Sequence, residues 1–171
     1  INGSPYTNRK HEFRKQLLST RAKENAVSIC YANLVGGQDE LVFDGQSIIL
    51  GPGGEIIARA PQFNESLLLA DIDADEACPF PEAFDEFLAI PNYYFVSNGT
   101  NNDGAMVKPS IAEELSPLEE AFQALVLGTR DYVEKSGFSK AVIGLSGGLD
   151  SALTTVIAVE ALGPSNVTAF F

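Results

Sequence analysis

The sequence predicts an α/β protein built from two parts and a linker between them. The front part, residues 1–75, contains one helical segment and several short apolar runs separated by turn signals, as at the closing end of an α/β or sandwich-like domain. The back part, residues 116–171, alternates helix, strand, helix and strand, which is typical of a parallel sheet that helices cover. Residues 76–115 are rich in Pro, Asn, Asp and Gly, as expected of a linker.

Composition argues against two classes of partner. The chain has 171 residues, with 11 Lys and Arg against 23 Asp and Glu and a net charge of −12, whereas nucleic acids and anionic membranes attract cationic surfaces. No apolar run approaches the roughly 20 residues of a membrane-spanning helix, and the N-terminus lacks the layout of a signal peptide. The two cysteines form neither a metal cluster nor a disulfide framework, so the sequence predicts a reducing, cytoplasmic location.

We predict a helix over Lys10–Asn25, because apolar side chains recur there at the helical period. The residues of its expected buried face are Phe13, Leu17 and Leu18. Charged residues such as Arg14 fall outside this face, and His11 is expected on the helix surface. Because His11 is the sole histidine, the chain holds no Ser-His-Asp or Cys-His catalytic arrangement of its own.

Short strands are predicted to follow this helix. Residues 26–33 form an apolar run suited to a buried strand, with Cys30 as a small buried side chain. Further strands are expected at residues 40–43, 47–50, 55–59 and 66–72. The glycines of Gly36-Gly37, of Asp44-Gly45 and of residues 51–54 indicate turns.

The back part opens with a signal for a helix start. Ser116 is placed to cap the helix, Pro117 suits its first turn, and Glu119 lies near the positive end of the helix dipole. The residues of the expected buried stripe are Leu118, Phe122, Leu125, Val126 and Tyr132. Ser136-Gly137 is expected to end this helix.

A second alternation of strand and helix is predicted after that point. It consists of a strand over residues 140–145, a helix over residues 150–162 that Gly163-Pro164 ends, and a strand over residues 166–171. A parallel sheet normally has more strands than these. Because the chain stops inside the last strand, we expect it to be a segment of a longer polypeptide.

One motif carries chemistry, the loop between the predicted strand and helix of the back part. Its residues are Gly144, Leu145, Ser146, Gly147, Gly148, Leu149, Asp150 and Ser151. The glycines allow the backbone to approach a ligand closely. Backbone N–H groups at the helix start, together with the hydroxyls of Ser146 and Ser151, favour a phosphate.

Asp150 distinguishes this loop from the GxxxxGK[ST] phosphate loop. Counting from Gly144, Asp150 stands where that motif has its lysine. A carboxylate does not neutralise a γ-phosphate, yet it suits an Mg²⁺ ion that is shared with phosphates. The loop is therefore predicted to hold a pyrophosphate that leaves as a unit while ATP delivers AMP to a substrate.

Both halves of the chain resemble one family. Residues 146–151, SGGLDS, resemble the pyrophosphate loop of the ATP-pyrophosphatase superfamily. Together with residues 124–132 and 136–138, they are similar to the beginning of the synthetase domain of glutamine-dependent NAD synthetases. Residues 2–6, NGSPY, with Lys10 and residues 31–47, resemble the back half of the nitrilase-type glutaminase domain that precedes it.

This resemblance implies a fold for each part of the chain. The front part is the end of a nitrilase-like α/β sandwich domain, and the back part is the first βαβ unit of a parallel-sheet adenine-nucleotide-binding domain. The resemblance covers essentially the whole chain, in the order that the family uses.

The resemblance also implies an ATP-dependent amidation. Nicotinic acid adenine dinucleotide is adenylated on its carboxylate by Mg·ATP, pyrophosphate leaves, and ammonia from glutamine displaces AMP to give NAD. Residues 144–151 would bind ATP, Asp150 would hold Mg²⁺, and Ser4 and Lys10 would contact glutamine. The catalytic Glu, Lys and Cys of the family would precede Ile1, so we expect no catalytic residue in this segment and no activity from it alone. The family commonly forms homo-oligomers.

Other interpretations of the same residues stay open. The loop does not choose the acceptor, so another ATP-pyrophosphatase-type amidotransferase ligase would carry the same signature. A non-catalytic assembly segment would use the loop only to bind an anion structurally. Around Ser4, a simple turn capped by Ser4 or Thr7 also fits, with Lys10 in solvent.

Overall fold

The structure, a computed structural model, describes residues 3–72 and 106–171. Three α-helices, one 3₁₀ helix (Pro164–Asn166) and seven strands lie within these two ranges. In chain order the α-helices and strands are α1 (Lys10–Asn25), β1 (Ile29–Tyr31), β2 (Val35–Gln38), β3 (Leu41–Asp44), β4 (Ile48–Leu50), β5 (Ile56–Arg59), α2 (Pro117–Lys135), β6 (Ala141–Gly144), α3 (Leu149–Leu162) and β7 (Val167–Phe170). Most of the predicted linker, residues 76–105, lies outside the described residues.

The front part forms two antiparallel sheets. Strands β1, β4 and β5 pair in that order, with Ile29 opposite Leu50. Strands β2 and β3 form a separate hairpin. One hydrophobic core lies between α1 and the three-stranded sheet, where Ala22, Ile48 and Leu50 are buried together. A mixed α/β front part was predicted from the sequence, and the structure confirms it.

The predicted strands of the front part are confirmed with one exception. β1, β3, β4 and β5 lie at the predicted places, within a residue or a few of the expected bounds. The predicted strand over residues 66–72 is wrong, because those residues pair with no other strand among the described residues. Cys30 is exposed rather than buried, since β1 is an edge strand and successive side chains of a strand point to opposite faces.

The expectation of a turn at Gly36-Gly37 is also wrong. Both glycines lie inside β2, and the chain reverses two residues later, where Asp39 has a φ of +50°. The glycines serve a close contact instead of a turn. A Cβ atom at Gly37 would come within 3.1 Å of the Cα atom of Gly128 in α2, so the absence of a side chain lets strand and helix touch.

Helix α1 has the predicted bounds, but of the expected buried face only Leu18 packs against the core. Phe13 is 65% exposed and Leu17 is 43% exposed, whereas His11 and Arg14 are each only 8% exposed. The apolar stripe therefore does not face the core over the first half of the helix. The reason is electrostatic, because the side of α1 that carries His11 and Arg14 contacts buried carboxylates on other elements.

One of these carboxylates belongs to Asp44 at the end of β3. The guanidinium of Arg14 donates to both of its oxygens, at 3.2 and 2.8 Å, and both side chains are buried. The same guanidinium lies 5.6 Å from the ring centroid of Tyr31. Two parallel hydrogen bonds between planar groups fix the helix in both distance and direction relative to the hairpin.

Helix α2 begins and ends as predicted. Ser116 accepts from the Glu119 N–H, the Glu119 side chain accepts from the Ser116 N–H, and Pro117 occupies the first turn. The expected buried stripe is only partly right, since Leu118 is 85% exposed and Val126 is buried. Leu125 and Tyr132 are exposed as well. The buried residues are Glu120, Ala124, Val126 and Leu127.

Polar contacts with the hairpin explain which face of α2 is buried. The Asp131 carboxylate accepts a hydrogen bond of 2.7 Å from the Gly37 N–H of β2. The Lys135 ammonium donates to the carbonyl of the same glycine. Small residues near the middle of the helix, Ala124 and Gly128, then lie against the front part together with Leu127, which packs in one buried cluster with Ala124 and Phe63.

The predicted βαβ unit of the back part is confirmed. β6 and β7 pair in parallel, with Ala141 opposite Val167 and Gly144 opposite Phe170, and α3 connects them. Gly163, with a φ of +84°, ends α3 where the sequence placed its end. None of the helices in the two described ranges is apolar over a stretch long enough to cross a membrane.

Replacing Arg14 by Met is expected to lower the free energy of unfolding by about 3–5 kcal/mol, because the charge of Asp44 then stays buried without its partner. Arg21→Met is the matched control on the same helix. Arg21 pairs with Glu24 at 3.0 Å, but the two side chains are 63% and 54% exposed, so its loss should cost below about 1 kcal/mol. Denaturant unfolding of the three proteins measures both costs, and equal costs would contradict this account of α1.

The contribution of Asp131 to stability is expected to vanish in acid. Burial raises the pKa of Asp131, but the hydrogen bond from Gly37 and the nearby Lys135 charge outweigh burial and bring that pKa below its usual value. A carboxyl with a lowered folded pKa stabilises the fold above its unfolded pKa of about 3.9, and this contribution is lost as the pH falls through the folded pKa.

The test compares Asp131→Ala with wild type across pH. We expect a difference in the free energy of unfolding of about 1 kcal/mol at neutral pH, falling toward zero below about pH 4. Glu134→Ala removes an exposed carboxylate from the same helix and should give a small difference throughout. A difference for Asp131→Ala that grew in acid would show that the sign of the linkage is wrong.

Candidate functional site

The glycine-rich loop lies at the carboxyl end of β6, the edge at which ligands bind in open parallel sheets. β6 ends at Gly144 and α3 begins at Leu149, with Gly148 in extended conformation as the N-cap. Gly147 has a φ of +79°, a conformation that residues with side chains rarely adopt. The structure thus joins the predicted loop residues into one turn between strand and helix.

Two serines fasten this turn to the first turn of α3. The hydroxyl oxygens of Ser146 and Ser151 lie 3.0 Å apart, and the Ser146 N–H donates to the Ser151 hydroxyl at 3.2 Å. The Ser151 hydroxyl also donates to the Gly148 carbonyl at 3.0 Å. The Gly148 N–H lies 3.4 Å from the Ser146 hydroxyl. The hydroxyls therefore hold the shape of the loop without any ligand.

The inner side of the loop is open. A Cβ atom built at Gly144 or at Gly147 would meet no other atom within 4 Å. The first N–H groups of α3 have no partner within the helix, and its aligned peptide dipoles favour negative charge at this end. The loop therefore offers free backbone donors and empty space at the same place, which suits a phosphate or pyrophosphate group.

Asp150 stands in the first turn of α3 with its side chain exposed. It makes no ion pair with any residue in the described ranges, so no cation among those residues competes for its oxygens. The same ranges hold no group of three or more His, Cys, Asp or Glu side chains arranged to bind a metal. A divalent ion at Asp150 would take its other ligands from a bound phosphate and from water, which is how Mg²⁺ usually binds beside phosphates.

The two other predicted site residues lie near each other in the front part. The Ser4 N–H donates to the Asn33 side chain at 2.9 Å, and the Lys10 ammonium donates to the Pro5 carbonyl at 2.9 Å. Lys10 is thus half-buried beside the segment that carries Ser4, rather than extended into solvent. No hydrogen bond within the described residues links Ser4 or Lys10 to the loop of residues 144–151.

A cluster around Glu120 attaches α2 to the same front segment, and sequence analysis did not find it. Glu120 is 1% exposed, and it accepts from the Gln62 side chain. His11 Nδ1 lies 2.9 Å from its Oε1 atom, an ion-pair distance without the alignment of a hydrogen bond. Burial, followed by the charges of Glu120 and Asp44, raises the pKa of Tyr6, which stays a neutral phenol. The expectation that His11 is a surface residue is therefore wrong.

Two family models match the chain, one on its front part and one on its back part. Residues 1–82 match the family model described as carbon-nitrogen hydrolase. Residues 121–171 match the family model described as NAD synthase. The glycine-rich loop lies within the second match, and Ser4 and Lys10 lie within the first.

Curated relatives extend along nearly the whole chain. The glutamine-dependent NAD(+) synthetase of Thermotoga maritima is 41% identical over 172 residues, which cover 98% of this chain and 30% of that protein. The enzyme of the same name from Aquifex aeolicus is 38% identical over 179 residues, with the same two coverages. The chain therefore spans about 30% of the length of the curated relatives it matches.

Solved structures agree with the sequence comparison. The glutamine-dependent NAD⁺ synthetase of Acinetobacter baumannii in complex with ADP superposes with a TM-score of 0.75 at 41% identity, covering 99% of this chain and 27% of that one. A second synthetase, from Cytophaga hutchinsonii, shares the fold with a TM-score of 0.61 at 21% identity. The chain is thus similar to a segment of glutamine-dependent NAD(+) synthetases, one in which the end of a carbon-nitrogen hydrolase domain is followed by the start of an NAD synthase domain.

Proposed function

We propose that this chain is part of a ligase that amidates nicotinic acid adenine dinucleotide to NAD, using ATP and the ammonia of glutamine. The observation that carries the proposal is an open, glycine-rich turn at the start of α3, in a chain whose two halves match the two domains of one enzyme family. The boundaries that fit this assignment are residues 1–75 for the glutaminase part, 76–115 for the linker and 116–171 for the synthetase part.

The loop of residues 144–151 is proposed to bind the phosphates of ATP. The first N–H groups of α3 have no partner within the helix, the space beside Gly144 and Gly147 is open, and the Ser146–Ser151 pair holds the turn in place before the nucleotide arrives. The ADP in the A. baumannii relative supports an adenine nucleotide as the ligand. A preformed loop favours pyrophosphate as the leaving group, because the same donors continue to hold it as its charge grows.

Asp150 is proposed to hold Mg²⁺ beside this loop. Its exposed carboxylate has no competing cation within the described residues, so it fits an ion that obtains its remaining ligands from phosphate oxygens and water. When bound, the ion neutralises charge on the phosphates of the nucleotide.

The reaction then follows from what the loop holds. A carboxylate oxygen of nicotinic acid adenine dinucleotide attacks the α-phosphorus of ATP, the bond to the bridging oxygen breaks, and pyrophosphate departs as the loop holds it. Ammonia next attacks the acyl carbon, AMP leaves, and one proton is released. This chain contributes the phosphate grip and the carboxylate of Asp150, and the acceptor pocket is assigned to other residues of the enzyme.

Ser4 and Lys10 are proposed to contact the α-amino-acid end of glutamine. A hydroxyl and an ammonium suit the charged groups at that end, and the structure places both beside Pro5. We further propose a cytoplasmic homo-oligomer, without nucleic-acid or membrane partners, as the working form of the enzyme.

A direct assay tests the proposed function. The full-length protein that carries these residues is incubated with glutamine, Mg·ATP and nicotinic acid adenine dinucleotide, and products are separated by liquid chromatography. We expect NAD, AMP and pyrophosphate in equal amounts. AMP release with a different acceptor would favour another ligase of the same superfamily, and no AMP with any acceptor would favour a non-catalytic segment.

Asp150→Ala is expected to slow adenylation by about 100-fold or more, because the phosphate charge is no longer neutralised at this position. Pyrophosphate release measures the rate, and glutamine binding should stay near that of wild type. Glu160→Ala, which removes an exposed carboxylate from the far end of the same helix, is the control and should change the rate less than about twofold. Unchanged pyrophosphate release in Asp150→Ala would remove Asp150 from the metal site.

Gly147→Ala is expected to raise the KM for ATP by about 10-fold or more, since a methyl group would strain the turn and enter the space assigned to the phosphates. Gly163→Ala is a closely matched control. It has the same kind of positive φ, +84° against +79°, lies at the other end of α3, and also has nothing within 4 Å of its Cβ position. If both variants raised the KM equally, backbone strain and not the phosphate site would explain the effect.

A further inference from the structure

A single side chain, that of Asn33, holds the main chain of Ser4. Asn33 Oδ1 accepts from the Ser4 N–H at 2.9 Å, and Asn33 Nδ2 donates to the Ser4 carbonyl at 3.3 Å. The amide therefore takes both main-chain polar groups of Ser4, across 29 residues of sequence. Within the described residues the Ser4 hydroxyl makes no hydrogen bond, so it is left available for a ligand.

The orientation of the Asn33 amide follows from its surroundings. Its Nδ2 atom faces three oxygens, those of the Ser4 carbonyl, the Asp44 carboxylate at 3.1 Å and the Gly45 carbonyl at 3.0 Å. A flipped amide would place its oxygen against these three acceptors and its NH₂ group against the Ser4 N–H. Only one orientation satisfies the hydrogen bonds. Asn33 therefore offers Ser4 an acceptor for its N–H group and a donor for its carbonyl.

Asn33 is itself held by buried charge. Asp44, to which it donates, is fixed by the two hydrogen bonds from Arg14, and both residues of that pair are buried. The Asn33 N–H also donates to the Ser47 hydroxyl at 3.0 Å. A chain of polar contacts therefore runs from Arg14 of α1 through Asp44 and Asn33 to Ser4, and both inner members have a partner on each side.

We propose that Asn33 is a positioning residue for glutamine hydrolysis, which holds the Ser4 main chain so that the Ser4 hydroxyl faces the α-amino-acid end of glutamine. This inference rests on the proposed function, in which Ser4 contacts glutamine. Asn33 does not touch the substrate. It acts through Ser4, because both of its short contacts to this segment are to backbone atoms whose placement sets the direction of the side chain.

The test uses the full-length protein and two reactions. Asn33→Ala is expected to raise the KM for glutamine by about 10-fold or more, with little change in kcat, since displacement of a binding group weakens substrate placement. NAD formation from added ammonia needs no glutamine and should stay within about twofold of wild type. If the ammonia reaction of Asn33→Ala is slow, the variant folds poorly, and Asn33→Ser then replaces it in the test.

Ser19→Ala is the matched structural control. The Ser19 hydroxyl donates to the Gly54 carbonyl at 2.6 Å, so this variant also removes a half-buried hydrogen bond between a side chain and the backbone in the same domain. It does not touch Ser4, and we expect an unchanged KM for glutamine. An equal rise in KM in both variants would mean that general loosening of the domain causes the effect, and would overturn the proposal.

A double-mutant cycle distinguishes action through Ser4 from an independent role. If Asn33 acts through the Ser4 hydroxyl, Ser4→Ala raises the KM for glutamine, and adding Asn33→Ala raises it little further. If the two effects multiply, Asn33 has a separate role and the proposal is wrong.

The same data separate this proposal from the proposed function. A wild-type protein that forms no NAD from glutamine, or a Ser4→Ala variant with unchanged KM, would show that the assignment of the glutamine site fails. A rise in KM for Ser4→Ala without one for Asn33→Ala would leave that assignment in place and overturn only the positioning role.

Discussion

The front part of the chain is organised around the buried carboxylate of Asp44. It is 2% exposed, and it accepts hydrogen bonds from Arg14 of α1 and from Asn33 of the segment before β2. Removing an ionised carboxylate from water costs several kcal/mol unless partners satisfy it, so these elements are limited to arrangements that bring their donors to this point. The helix, the hairpin and the residues around Ser4 therefore take positions that depend on one another.

A second buried carboxylate, Glu120, extends the same constraint to α2. It lies against His11 of α1 and the side chain of Gln62, while the other end of α2 is tied to Gly37 through Asp131. Helix α2 of the back part thus contacts the front part through polar groups at two places, and also through Ala124 and Leu127, which pack with Phe63. Polar groups at these contacts explain why some large apolar side chains, such as Phe13 of α1 and Leu118 of α2, lie away from the buried faces.

Local signals in the sequence are sufficient for the bounds of the three α-helices and for the position of the loop. The capping box at Ser116 and the glycine at 163 act within a few residues, and so do the hydrogen bonds between Ser146 and Ser151. The buried faces of α1 and α2 are predicted only in part, through Leu18 and Val126, because the rest depends on partners far along the chain. Nothing in the period of apolar residues indicates that Arg14 meets a carboxylate 30 residues later. For the same reason the glycines of β2, which serve a contact with α2, were read as a turn.

The two proposed sites differ in the range of the contacts that form them, and this difference bears on specificity. The loop of residues 144–151 holds its shape through bonds between residues at most five apart, so the proposed phosphate site depends little on the rest of the protein. The loop is for this reason a poor guide to the substrate that accepts AMP. The Ser4 segment depends on Asn33, 29 residues away, and through it on the buried pair of α1 and β3. A site that depends on this many distant partners is tied more closely to its fold than a loop held by local bonds, so the proposed glutamine site is the more specific of the two.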